Sequence, residues 1–194
     1  MGSYNIKSIK RKVTKSNAFS KASHKKVNAH LHRARTNLIN EFDNHPVTKE
    51  ISSGSNGSNL SKTLAGYGNL FSYIGFHGTS DPIASVRNLL FTIPQIKSKK
   101  LKSGSMEFVL SAPKLEDFRM VAKMPWEGGR SWVEGIESGI SGFSYYMANM
   151  FGENIKSRSG SAIQSKSKVR VGVFRPTPYL SVMISNFERM ILKV

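Results

Sequence analysis

The side chains that could do chemistry are few. The 194-residue chain has 5 histidines, 12 aspartates and glutamates, and no cysteine. A metal-dependent hydrolase or nuclease needs carboxylates or histidines spaced so that several reach one ion. A serine hydrolase needs a nucleophile, a base and an orienting acid. Neither pattern is present. His30 and His32 are two apart, so on a helix they point to different sides. His77 and Ser80 are close, but no G-x-S-x-G frames the serine. Glu107, Glu116 and Asp117 stand apart from any histidine. Glu127, Glu134 and Glu137 are the nearest thing to an acidic set, and they read better as cap and dipole partners at a helix start. Gly54, Gly57, Gly66 and Gly68 match no phosphate-binding fingerprint. The absence of cysteine excludes disulfides, thiolate metal sites and a thiol nucleophile. The expectation is a non-enzyme with no catalytic residue, metal ligand or cofactor.

What the chain has in excess is positive charge, +17 with a pI near 10.2. Such a balance points to a polyanion as partner. Ten of the 29 lysines and arginines fall in residues 1–35, and the first acid is Glu41. Lys10, Arg11 and Lys12 form one cluster. Lys97, Lys99, Lys100 and Lys102 form a second, and both are candidate polyanion- or channel-facing residues. A third basic run spans 156–170. Residues 1–23 read as a flexible basic arm. It binds phosphate backbones, binds an acidic protein surface, or is a solvated tail. No apolar run is long enough to span a bilayer and no signal-peptide pattern occurs, so the default compartment is cytoplasmic.

The remaining organisation centres on residues 124–152, MPWEGGRSWVEGIESGISGFSYYMANMFG. Pro125 and Gly128-Gly129 mark a turn. From Ser131, a candidate N-cap with Glu134 as box partner, apolar residues recur at helical spacing: Trp132, Ile136, Ile140, Phe143, Met147. A helix over 131–151, ended by Gly152, is expected. Gly135, Gly139 and Gly142 inside it each cost about 0.5–1 kcal/mol against Ala. Close approach of a neighbouring element or of a second copy would offset that cost. Trp126, Trp132 and the three glycines are therefore candidate packing or oligomer-interface residues. The other reading is a broken pair of short helices packing only in their own core.

Around this stretch the period changes repeatedly. Residues 24–43 carry a helical stripe of Val27, Leu31, Ala34, Leu38 and Phe42, stopped near Asn44-His45-Pro46. A Ser/Gly-rich loop follows at 52–68. Ser80 or Asp81 can cap a short helix with Pro82 in its first turn. Residues 91–97 and 105–112 read as a hairpin with a basic turn at 97–102. Residues 114–121 are a short helix or strand, and 168–174 a strand. The last helix has Pro178 in its first turn and buries Leu180, Met183, Ile184, Phe187 and Ile191. The class is α+β: a small, mostly antiparallel sheet packed with a long N-terminal helix, a central glycine-containing helix and a C-terminal helix. The division is an arm at 1–23 and one domain at 24–194.

NEFDNHPVTKEI, NLFSYIGF and MPWEGGRSWVEGIESGISGFSYYM resemble segments of virion structural proteins of tailed bacteriophages. The closing VGVFRPTPYLSVMISNFERMI is similar to the ending of the neck and tail-completion family. The resemblance spans most of residues 27–191. The basic arm and the 45–80 region depart from it, which leaves the position in the neck open. It implies a non-enzymatic, ring-forming subunit that joins head to tail around the DNA channel. Its implied partners are further copies of itself, the neighbouring connector and tail proteins, and DNA in the channel. Its implied location is the virion, after synthesis in the host cytoplasm. The alternative carried by charge alone is a basic, non-sequence-specific nucleic-acid-binding protein. A nuclease is the third and weakest reading.

Overall fold

Capping residues decide where the helices begin and end. The structure, a computed structural model, describes residues 6–64, 69–102, 105–125, 127–139, 145–146, 163–164 and 176–193. Helix α1 (Ile6–Lys15) and helix α2 (Asn17–Asn44) are separated only by Ser16, whose Oγ accepts from Phe19 N at 3.2 Å. That is an N-cap. Residues 6–23, read from the sequence as an arm, are thus helical. Their lysines and arginines are good helix formers, and a shortage of apolar residues removes burial rather than propensity.

At 28 residues α2 is about 42 Å long. Val27, Leu31, Ala34, Leu38, Ile39 and Phe42 are its buried stripe. It ends at His45, which is extended because Pro46 follows and which also caps helix α3 (Pro46–Ser52): Nδ1 accepts from Val47 N at 3.3 Å. Helix α4 (Leu70–Ile74) starts at Asn69, whose Oδ1 accepts from Ser72 N at 2.8 Å, and stops at Gly75 in the left-handed region. Helix α5 (Pro82–Thr92) starts at Asp81, whose Oδ1 accepts from Ile83 N and Ala84 N. Phe91 and Thr92 remain helical, so the strand expected from 91 begins later.

Strands β1 (Ile96–Lys102) and β2 (Ser105–Leu110) form an antiparallel ribbon. The basic run expected as a turn is therefore β1 itself. Pairing with the alternating SMEFVL fixes it, since Lys99 lies opposite Phe108 and Leu101 opposite Met106. A 3-10 turn (Leu115–Phe118) buries Phe118. Strands β3 (Lys123–Met124) and β4 (Glu127–Ser131) pair antiparallel and lead into helix α6 (Trp132–Ser138). Ser131 Oγ caps it, accepting from Glu134 N at 3.4 Å, but the Glu134 carboxylate turns to Arg119 Nε at 2.5 Å. The expected capping box is thus half formed.

The long helix expected over 131–151 is corrected. α6 stops at Gly139, whose φ of +88° is left to glycine. Downstream, β5 (Tyr145–Tyr146) pairs antiparallel with β6 (Ile163–Gln164). The strand expected at 168–174 lies outside the described residues. Helix α7 (Leu180–Ile191) begins after Tyr179, with Pro178 just before its first turn rather than in it.

α7 runs antiparallel to α2. The His30 imidazole Nε2 meets Met190 O at 2.8 Å, and further along α2 and back along α7 Asn186 Nδ2 donates to Glu41 Oε2 at 3.0 Å. α2, α3, α4, α5, α6 and α7 share one hydrophobic cluster, with Phe42, Val47, Ile74, Val86, Phe118, Trp132, Tyr179 and Phe187 at or below 1% exposure. The class is α+β. Among the described residues, the strands form three two-stranded antiparallel ribbons around a helical core.

Candidate polyanion interface

The buried stripe of α2 starts at Val27, so the turns before it have no core to meet. They meet the β1–β2 ribbon instead. Lys99 Nζ donates to Ser20 Oγ at 3.4 Å, and the Phe108 ring lies 6.2 Å from the ring of His24. Residues directly opposite in a ribbon share a face. Lys99 and Phe108 are therefore together on the face turned to α2, while Lys100, opposite Glu107, is on the other. Lys97 sits where the register shifts. At the root of the ribbon, Arg35 Nη2 donates to the Pro94 carbonyl, and the guanidinium carbon lies 5.0 Å from the Phe91 ring centroid.

These contacts lay the ribbon along α2 from Ser20 to Arg35, about 22 Å at a rise of about 1.5 Å per residue. Two basic segments some seventy positions apart in the chain are brought side by side. Lys21, Lys25, Lys26 and Arg33 are exposed on this stretch of α2, as are Lys97, Lys99 and Lys100 on β1. Lys10, Arg11 and Lys12 are exposed on α1, beyond the α2 N-terminus, whose partial positive charge adds to theirs. The acids of the α2 C-terminal end are engaged elsewhere: Glu41 with Asn186, and Asp43 with Arg87 at 2.9 Å. Lys102 lies in β1, and its side chain is outside the described residues.

Of the five candidate packing or oligomer-interface residues, Trp132, Gly135 and Gly139 are described. Trp132 is 1% exposed, edge-on to Phe76 at 6.0 Å and 6.3 Å from Tyr179. It packs within its own chain, so it does not face a second copy. Gly135 is half-buried inside α6, and Gly139 is a buried cap beyond it. The two therefore do not form the helical small-residue groove that their spacing implied. Trp126 and Gly142 lie outside the described residues.

Other polar residues turn out to be structural. Glu50 is fully buried and accepts from Ser61 N and Leu70 N, each at 2.7 Å. Asn69 Nδ2 donates to the carbonyls of Gly54, Ser55 and Gly57. Together they hold the described part of the Ser/Gly-rich loop. Glu137 accepts from Tyr179 N, Ser181 N and Ser181 Oγ, at 3.2, 2.8 and 2.7 Å. It caps α7, not its own helix. Tyr179 Oη meets Thr48 Oγ1 at 2.7 Å, and burial pushes its phenol pKa up. His45 beside it is shifted down, chiefly by burial and against the pull of Glu137.

A cleft of about 730 Å³ near α3 and α5 contains Asp43, Ser80, Asp81 and Arg87. Its two aspartates are spent on Arg87 and on the α5 N-terminus. Among the described residues no group of three or more histidines and acids could hold a metal, and no helix is long and apolar enough to cross a membrane. Compared with family models, curated proteins and solved structures, the chain has no significant match.

Proposed function

We propose that this chain is a non-enzymatic structural protein that presents a cationic surface to nucleic-acid phosphate. Its setting is the neck of a tailed-phage virion, where copies form a ring joining head to tail around the DNA channel. The observation that carries the polyanion part is the docking of the lysine-rich β1 ribbon beside the basic first half of α2. Such a surface neutralises several phosphates at once and releases their counterions. The ring part rests on the resemblance of the closing VGVFRPTPYLSVMISNFERMI and of the 124–147 stretch. Ring contacts are heterologous. With Trp132 in the core, the free apolar surface for them includes Met120, 72% exposed, and Val109, 47% exposed.

A second reading is a basic nucleic-acid-binding protein that acts outside any particle. What favours it is that both described parts of the cationic surface, β1 and the first half of α2, come from one chain. Cryo-microscopy of intact particles and mass measurement of the purified chain separate the two. Rings in solution and density for the chain at the head–tail joint are the expected results. A monomer that binds DNA in a salt-sensitive way, with no place in a particle, replaces the first reading with the second.

A further inference from the structure

We propose that the cationic surface is built for single-stranded nucleic acid, with Phe91 as a platform on which a base stacks. This rests on the polyanion reading above and narrows its ligand. Phosphate attraction alone does not distinguish one strand from two. A flat π-face among cations does, because only an unpaired base can lay its own face on it. Phe91 is 53% exposed, although it sits in α5, where Ile83, Val86 and Leu90 are buried and Leu89 is partly buried. Its position is fixed from one side: the Arg35 guanidinium lies over the ring at 5.0 Å, and Arg35 is itself tied to the Pro94 carbonyl. With Arg35 over the ring, 53% of the residue is still exposed and within reach of a ligand.

The surroundings fit the same ligand. Pro94 stands two residues before β1, so the first lysine of that strand, Lys97, comes six residues after Phe91. Arg87, one turn earlier on α5, neutralises Asp43, the acid that would otherwise repel a phosphate there. Midway along the ribbon, His24 and Phe108 lie ring to ring beside Lys99. The distance from Ser20 to Arg35 along α2, about 22 Å, suits a few extended nucleotides, within the range of single-strand sites.

The test is fluorescence anisotropy on the full chain at low salt. The probes are a labelled oligothymidylate, an abasic oligomer of equal length, and a blunt duplex. The expected order has the oligothymidylate bound more tightly than the abasic strand. Phe91→Ala and Phe91→Leu should each weaken oligothymidylate binding about fivefold to a hundredfold, leave the abasic strand unchanged, and be rescued by Phe91→Tyr. Equal affinity for oligothymidylate and abasic strand, no effect of Phe91→Leu, or tighter binding of the duplex overturns the single-strand proposal alone. Failure to bind all three probes overturns it together with the polyanion reading. Because Phe91 is half exposed, circular dichroism of the variants should match that of the unaltered chain.

Discussion

Glu50 gives a loop with little apolar content a fixed shape. Its buried carboxylate takes one backbone N–H from Ser61 and one from Leu70. A buried donor left without a partner costs about 1–3 kcal/mol. Glu50→Ala strands two donors and should lower unfolding free energy by about 2–5 kcal/mol in urea titrations. Glu50→Gln keeps one acceptor and should fall between. Equal stability of all three proteins would refute the clamp. His45 makes a pH-dependent contribution of definite sign. As the α3 cap its Nδ1 must accept from Val47 N, so it works as the neutral ring. Burial lowers its pKa below the ordinary 6.5. Between the lowered value and 6.5 the unfolded chain binds more protons, so stability rises with pH across that window. The His45 contribution is full above about 6.5 and is lost as pH falls through the folded value. His45→Asn keeps a capping acceptor and should flatten the part of the stability–pH curve just below 6.5.

At the scale of elements, α7 is anchored by a residue of another helix. Glu137, near the end of α6, accepts three hydrogen bonds at the α7 N-terminus, and Thr177 N also donates to Ile136 O at 3.0 Å. The chain on either side of the 140–175 stretch is therefore pinned together. Glu137→Ala removes this cap and should cost about 1–2 kcal/mol. Hydrogen exchange should locate the loss in the first turn of α7. Uniform acceleration across α2 and α7 would instead mean that the cap acts on the whole core. The ribbon follows a related logic. β1 has few apolar side chains, but its backbone pairs with β2 and Ile96 packs against the core. A strand defined by its partner is invisible to a search for alternation in the strand itself.

For the whole molecule, the measurable consequence is salt dependence. If β1 contacts phosphates, each lysine neutralised by glutamine should lower the slope of log affinity against log salt by about 0.9 for duplex DNA or about 0.7 for a single strand. The triple variant Lys97→Gln, Lys99→Gln, Lys100→Gln should then lose roughly 2 to 3 units of slope. It should remain folded, since all three side chains are exposed. An unchanged slope would place the nucleic-acid contact elsewhere, on α1 or on residues outside those described.

The sequence by itself determined the features that depend on near neighbours. The stripe of α2, its stop before Pro46, the Asp81 cap with Pro82, the strand at 105–110 and the apolar face of α7 were all legible. Period and capping are local properties. It also supplied the cationic clusters, though not their union. Only the tertiary structure decided that Trp132 faces Phe76 and Tyr179, that α6 ends at Gly139, and that Glu137 caps α7. Asn69 before LFSYI carried a usable cap signal, but nothing around Glu50 announced which amides it would bind. Those outcomes depend on groups far apart in sequence that meet when the core closes. The placement of Lys99 beside Ser20 is of that kind: it follows from packing between segments far apart in the chain.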